Sequence, residues 1–87
     1  MRAQKEPVVR LLKTARGQLD GLLKMVEEDR YCVDISNQLL ATQAILKKVN
    51  QLVLRAHLDG CVQEAMTAGD SRQKIDEIVA LLDKMSR

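Results

Sequence analysis

The stretch from Cys32 to Cys61 contains no proline, and no glycine until Gly60. Within it Ile35, Leu39, Thr42, Leu46, Val49, Val53 and Ala56 recur at alternating steps of four and three. That is the period of one helix face, in a heptad-like pattern. Polar Gln38, Gln43, Lys47, Lys48, Asn50, Gln51 and Arg55 fill the other positions. The chain is rich in Leu, Ala, Gln, Lys and Glu and has a single proline, near its start. Together these features point to an all-α fold built around one long helix.

That helix carries both cysteines and the single histidine. Cys32 opens it, while His57 and Cys61 lie near its end, one turn apart on one face. At about 1.5 Å of rise per residue, Cys32 and His57 are separated by roughly 38 Å along the axis. One helix cannot bring both to a shared ion. Two copies running antiparallel can, with the middle of the register near Ile45 and Leu46, and this creates two equivalent Cys/His/Cys clusters at the ends of a dimer. Taken singly, each residue is more simply a small buried thiol or an ordinary histidine. The three together, at spacings that superpose in an antiparallel pair, favour a metal-ligand reading. Two thiolates and one imidazole make a donor set for a soft or borderline metal. Structural zinc wants a closed tetrahedron, whereas Cu(I) accepts low coordination and favours thiolates, so it fits better.

Eighty-seven residues allow one small domain, 1–87, whose modest core makes self-association a natural source of stability. With one Tyr and no Phe or Trp, that core is aliphatic. No apolar run reaches membrane-spanning length and the first residues lack a signal-peptide pattern, so a cytoplasmic location is expected. Two cysteines in such a compartment read as metal-binding or redox thiols before a structural disulfide. The net charge is only +2, but residues 1–24 hold six bases against two acids, and residues 35–58 hold Lys47, Lys48 and Arg55 with no acid. Such clustering suits a polyanion, although a merely solvated helical face would look the same.

Along the chain, residues 1–6 read as a frayed tail and Pro7 as part of a first helical turn. Val8, Leu12, Ala15, Leu19, Leu22 and Val26 then trace an apolar stripe. Gly17 and Gly21 interrupt this helix at a cost of about 1 kcal/mol each, most easily justified by a second backbone packed against them. Arg10, Lys13 and Arg16 form a basic ridge. The polar break Glu27–Arg30 is short enough to make the first two helices an antiparallel hairpin. The long helix is expected over about 31–66. Gly69 then serves as a stop, Asp70 with Gln73 as a capping box, and a third helix covers about 71–86. No phosphate loop, dinucleotide fingerprint, serine nucleophile motif or paired acid/base carboxylates are present, so no enzyme and no small-molecule substrate are expected. Scarce aromatics argue against stacking on single strands.

The segments Arg16-Gly17-Gln18-Leu19-Asp20-Gly21, Met25 to Ile35, and His57-Leu58-Asp59-Gly60-Cys61 resemble the copper-sensing operon repressor (CsoR/RcnR) family, over nearly the whole chain. The resemblance implies an all-α DNA-binding repressor, an antiparallel hairpin dimerising into a four-helix bundle with a short third helix, usually assembled as a tetramer. It implies that Cu(I) binds between protomers and releases double-stranded operator DNA. By position, the metal ligands would be Cys32 of one protomer with His57 and Cys61 of the other. Tyr31 and Glu77 would orient them from outside, and Lys13, Arg16 and Lys48 would contact DNA. Leu11 stands where some members carry a further arginine. Within the family, His57 and Cys61 separate this chain from branches that lack one or the other, and its single histidine separates it from the nickel/cobalt branch. No helix-turn-helix or zinc finger is visible, so a flat basic face bound to phosphates is expected. Two alternatives remain: a persulfide-sensing repressor using Cys32 and Cys61, and a helical assembly or adaptor domain with inert thiols.

Overall fold

In the computed structural model the chain forms three helices in order, α1 (Lys5–Glu27), α2 (Cys32–Ala68) and α3 (Ser71–Met85). The structure describes residues 1–68 and 71–85, apart from the side chains of residues 65, 68, 71, 74 and 85. The expected stop at Gly69 and the capping box begun by Asp70 therefore lie outside the described residues. The chain divides into two compact units, Glu6–Val49 on one hand and Met1–Lys5 with Asn50–Arg87 on the other.

In the Glu6–Val49 unit, α1 and the first half of α2 form the expected antiparallel hairpin. The turn between them is made by the backbone. Arg30 N–H donates to the Met25 carbonyl at 3.0 Å and Asp29 N–H to the Val26 carbonyl at 3.1 Å. These are the paired bonds of a Schellman motif, which satisfy carbonyls that the end of α1 would otherwise leave open. The motif needs a left-handed residue after the helix cap, and Asp29 supplies it with φ 53°. Aspartate tolerates this region better than most side chains. Two residues on, the Tyr31 carbonyl accepts the Ile35 N–H at 3.2 Å and starts α2.

The seam of the hairpin is narrow. From α1 it takes Val8, Ala15 and Leu22, all buried, with Leu11, Gln18 and Met25 half-buried between them. From α2 it takes buried Thr42 and Val49, flanked by Ile35, Gln38 and Ile45. Each apolar stripe read from the sequence is thereby split. Leu12 and Leu19 remain 44% and 48% exposed, and Leu39 and Leu46 45% and 43%. Two cylinders in contact along a line bury one row each, and the neighbouring row stays in solvent. Inside the seam the Thr42 hydroxyl donates to Gln18 Oε1 at 2.7 Å, with the Gln38 carbonyl at 3.1 Å. Among the described residues of this chain, no other backbone lies against Gly17 or Gly21. A Cβ at either position would meet nothing within 4 Å.

In the other unit, α3 packs beside the second half of α2, where Cys61 is the most deeply buried of the described side chains. Among the N-terminal residues, expected as a tail, Arg2 makes a contact with this unit. Arg2 pairs with Glu64 and lies over Gly60, where any side chain would collide with its guanidinium. Helix α1 accordingly begins at Lys5, earlier than the proline suggests.

The left-handed Asp29 supports a test of the turn. Asp29→Gly is expected to raise the thermal midpoint, by an increment on the order of 0.5–1 kcal/mol, because glycine adopts positive φ without steric cost. Circular dichroism melts at matched protomer concentration check this. A lowered midpoint would show that the carboxylate matters more than the backbone conformation.

Candidate metal centre

Helical geometry places His57 and Cys61 together before any tertiary contact forms. Residues four apart project from the same face in successive turns, and α2 runs unbroken through both. Packing then distinguishes them. Cys61 is 2% exposed, whereas the His57 side chain keeps 43% of its surface. The thiol is fixed in the interior of its unit, and the imidazole stands at the edge where solvent reaches it.

Helix α3 completes the cluster. Glu77 faces α2, and its Oε1 lies 2.8 Å from His57 Nε2. The carboxylate can only accept, so Nε2 carries the proton in this bond and Nδ1 is left as the ring's lone-pair nitrogen when the imidazole is neutral. One donor atom from each of His57, Cys61 and Glu77 lies within 4.8 Å of the others. This is a His/Cys/carboxylate triad inside one chain. A carboxylate on the far nitrogen of a candidate ligand histidine is the usual way in which proteins fix the ring and its tautomer. The pair is partly solvated, so its worth lies in orientation more than in stability.

The remaining sequence-predicted residues fall elsewhere. Cys32 and Tyr31 belong to the Glu6–Val49 unit, at the start of α2. Cys32 is exposed and Tyr31 is 66% exposed. Neither joins the triad among the described residues. Lys13, Arg16 and Lys48 are all exposed, and all lie in the hairpin unit. Because the Gln18–Thr42 bond sets the two helices side by side, Lys13 and Arg16 of α1 stand near the level of Lys47 and Lys48 of α2. The bases thus collect toward one end of the hairpin, with Arg10 on the same ridge. Sequence reading missed Arg2 as a neighbour of the Cys61 turn. A glycine immediately before the buried cysteine was the available signal.

A thiol and an imidazole on one face of α2, with a carboxylate behind the imidazole, fit a thiophilic ion in donor chemistry. The set supplies only one sulfur per chain.

Residues 4–84 match the family described as metal-sensitive transcriptional repressor. The copper-sensing transcriptional repressor CsoR of Mycobacterium ulcerans (strain Agy99) is 42% identical over 76 residues, which cover 87% of this chain and 65% of the relative. The chain therefore spans about two thirds of the length of that relative. Among solved structures, the copper-sensing repressor CsoR with Cu(I) from Geobacillus thermodenitrificans NG80-2 superposes with a TM-score of 0.80 at 33% identity, covering 100% of this chain and 94% of that one. The nickel-responsive transcriptional regulator InrS superposes with a TM-score of 0.86 at 27% identity, covering 98% and 96%. With helix order, site geometry and family match in agreement, this chain belongs to the metal-sensitive transcriptional repressor family.

Proposed function

We propose that this chain is a copper(I)-responsive repressor, which holds operator DNA without the ion and releases it when Cu(I) occupies a site shared between two protomers. The observation that carries the proposal is the 2.8 Å bond between His57 Nε2 and Glu77 Oε1, with buried Cys61 one turn further along α2. The bond leaves Nδ1 as the ring's ligand atom and ties whatever that atom binds to α3. A thiol-only sensor would have no use for this arrangement, which disfavours the persulfide reading. Copper is preferred over nickel because the chain has one histidine and two cysteines, a soft donor set. The copper-sensing relative and the copper-bound structural neighbour support the same choice.

The ligands would be His57 and Cys61 of one protomer and Cys32 of the partner. A single chain cannot bring the third ligand in, since 25 helical residues hold Cys32 about 38 Å from His57. The exposed row of Leu12, Leu19, Leu39 and Leu46 is the surface through which two hairpins would pair antiparallel into a four-helix bundle. Pairing of two such bundles into a tetramer belongs to the same reading. When bound, Cu(I) would supply a soft acceptor suited to thiolate and imidazole donors. The chain's own part is to present Cys61 from a fixed interior position, to hold the ring through Glu77, and to offer Cys32 at an exposed helix start. Tyr31, beside Cys32, would close over the partner's imidazole. Lys13, Arg16 and Lys48 would bind phosphates, and with no reaction chemistry in the cluster the protein would not be an enzyme. No helix among the described residues is long and apolar enough to cross a membrane, which accords with a cytoplasmic DNA-binding role.

Three measurements test this proposal. Mixing Cys32→Ala protomers with His57→Ala/Cys61→Ala protomers should restore one tight Cu(I) site per heterodimer in an anaerobic competition titration. Mixtures that bind no better than either parent would exclude a shared site. Lys48→Ala should weaken DNA binding at every sequence and make the dependence on salt shallower by about one phosphate contact. An unchanged slope would remove Lys48 from the DNA face. Finally, His57→Ala should still bind Cu(I) through two thiolates but stay on the operator when copper is added, and Glu77→Ala should show a weaker form of this defect. Full release by the His57→Ala protein would show that the link through α3 is not used.

A further inference from the structure

Steps of four and three along α1 trace a second row, Arg10, Thr14, Gly17, Gly21, Lys24 and Glu28, every member of it exposed. The row runs one residue past the end of α1, because Glu28 N–H still donates to the Lys24 carbonyl at 3.0 Å. Gly17 and Gly21 are each two residues from Leu19, which sets them roughly 160° from it round the helix. The row therefore lies on the side of α1 away from the leucines through which two hairpins would pair. We propose that it is a second self-association surface, where α1 of one copy packs antiparallel against α1 of another across a two-fold axis between Gly17 and Gly21.

The register commits this row to a second copy of the chain. An axis midway between the glycines sets Gly17 opposite the other copy's Gly21 and Thr14 opposite its Lys24. Arg10 then stands opposite the other copy's Glu28, and the symmetry repeats each pairing at both ends. A parallel arrangement would set Arg10 on Arg10 and Glu28 on Glu28, so charge selects the antiparallel one. Within its own chain Glu28 lies 3.9 Å from Arg30, a loose pair between exposed side chains. Its carboxylate can accept a second cation without breaking a close bond.

The middle of the row gives the glycines a use. Helix interiors tolerate glycine poorly, and nothing in this chain lies within 4 Å of a Cβ at either position. The missing side chains leave an open groove flanked by Thr14 and Lys24. Glycine allows two backbones to approach closely, and the paired glycines put that approach at the axis. The whole row lies in the Glu6–Val49 unit, so the hairpin presents it without help from the rest of the chain. Leucines and glycines lie on different sides of α1, so one copy can use both at once. Two different two-fold contacts per copy close at four copies when their axes are perpendicular. The inference thus supplies the tetramer of the proposed function with its second interface, and rests on that reading only for the leucine contact.

The experiment reads the mass of the full chain by light scattering on a sizing column, without metal or DNA, with circular dichroism to check folding. The unmodified chain should elute as four copies. Gly21→Leu, whose side chain enters open space in its own chain, should elute as two copies with helix content retained. Arg10→Glu and Glu28→Arg should each raise the tetramer–dimer dissociation constant by at least about tenfold. The double reversal Arg10→Glu/Glu28→Arg should bring it back to within about threefold of the unmodified value. The charge reversals decide the matter should Gly21→Leu fail to fold. A Gly21→Leu protein that stays tetrameric overturns the proposal, and so does a double reversal that associates no better than either single one. Unchanged mass with weakened DNA binding in Gly21→Leu would assign the groove to DNA and overturn it as well. A tetramer that survives Leu19→Glu would count against the leucine contact and leave this one standing.

Discussion

The pitch of α2 is the constraint on which the rest depends. A helix holds residues four apart on one face and keeps residues twenty-five apart far from one another. The first property gives the chain a fixed imidazole–thiol pair, and the second denies it the other cysteine. Both follow from a 37-residue helix without an internal proline. A more compact fold of the same length could have gathered all three side chains in one protomer. Here the long helix leaves a thin core: Val8, Ala15, Leu22, Val49 and Cys61 are the buried apolar side chains among those described. So little buried surface is a weak basis for a free-standing domain, and the exposed leucine row beside it offers more apolar surface for a second copy to cover.

Much of this was legible in the sequence because it is local. Helix starts and stops came within two residues of those observed, since Pro7, the Glu27–Arg30 break and the apolar spacing are short-range signals. The His57/Cys61 pair was legible for the same reason. The His57–Glu77 bond joins two helices across twenty residues of sequence, and no periodicity could have indicated it. Family resemblance pointed to Glu77, and the geometry then gave its Nε2 partner.

The misreadings are also physical. A four-three stripe marks an apolar arc wider than one contact line, so it could not say that Ala15 is buried while Leu12 and Leu19 are not. Gly17 and Gly21 line an open groove with Thr14, Gln18, Lys24 and Gln38, so the close neighbour their spacing suggests is not supplied by the described residues of this chain. Arg2 was read as tail because nothing nearby in sequence involves it. Its partners, Gly60 and Glu64, are about sixty residues away.

The hydrogen bond between Thr42 and Gln18 has a bearing on which hairpin forms at all. Apolar seams with a seven-residue repeat are nearly as well satisfied when one helix slides by two turns, so misaligned hairpins compete with the native one. In this seam such a slip would set the buried Thr42 hydroxyl level with Leu11 or Met25 instead of Gln18. The Gln18 amide would be left without that partner as well. A single polar pair among aliphatic residues thereby penalises each slipped alternative more than it strengthens the native pairing, as polar core residues do in coiled coils. It acts as a proofreading element for the alignment of the two helices, and through it for the position of the basic cluster along the hairpin.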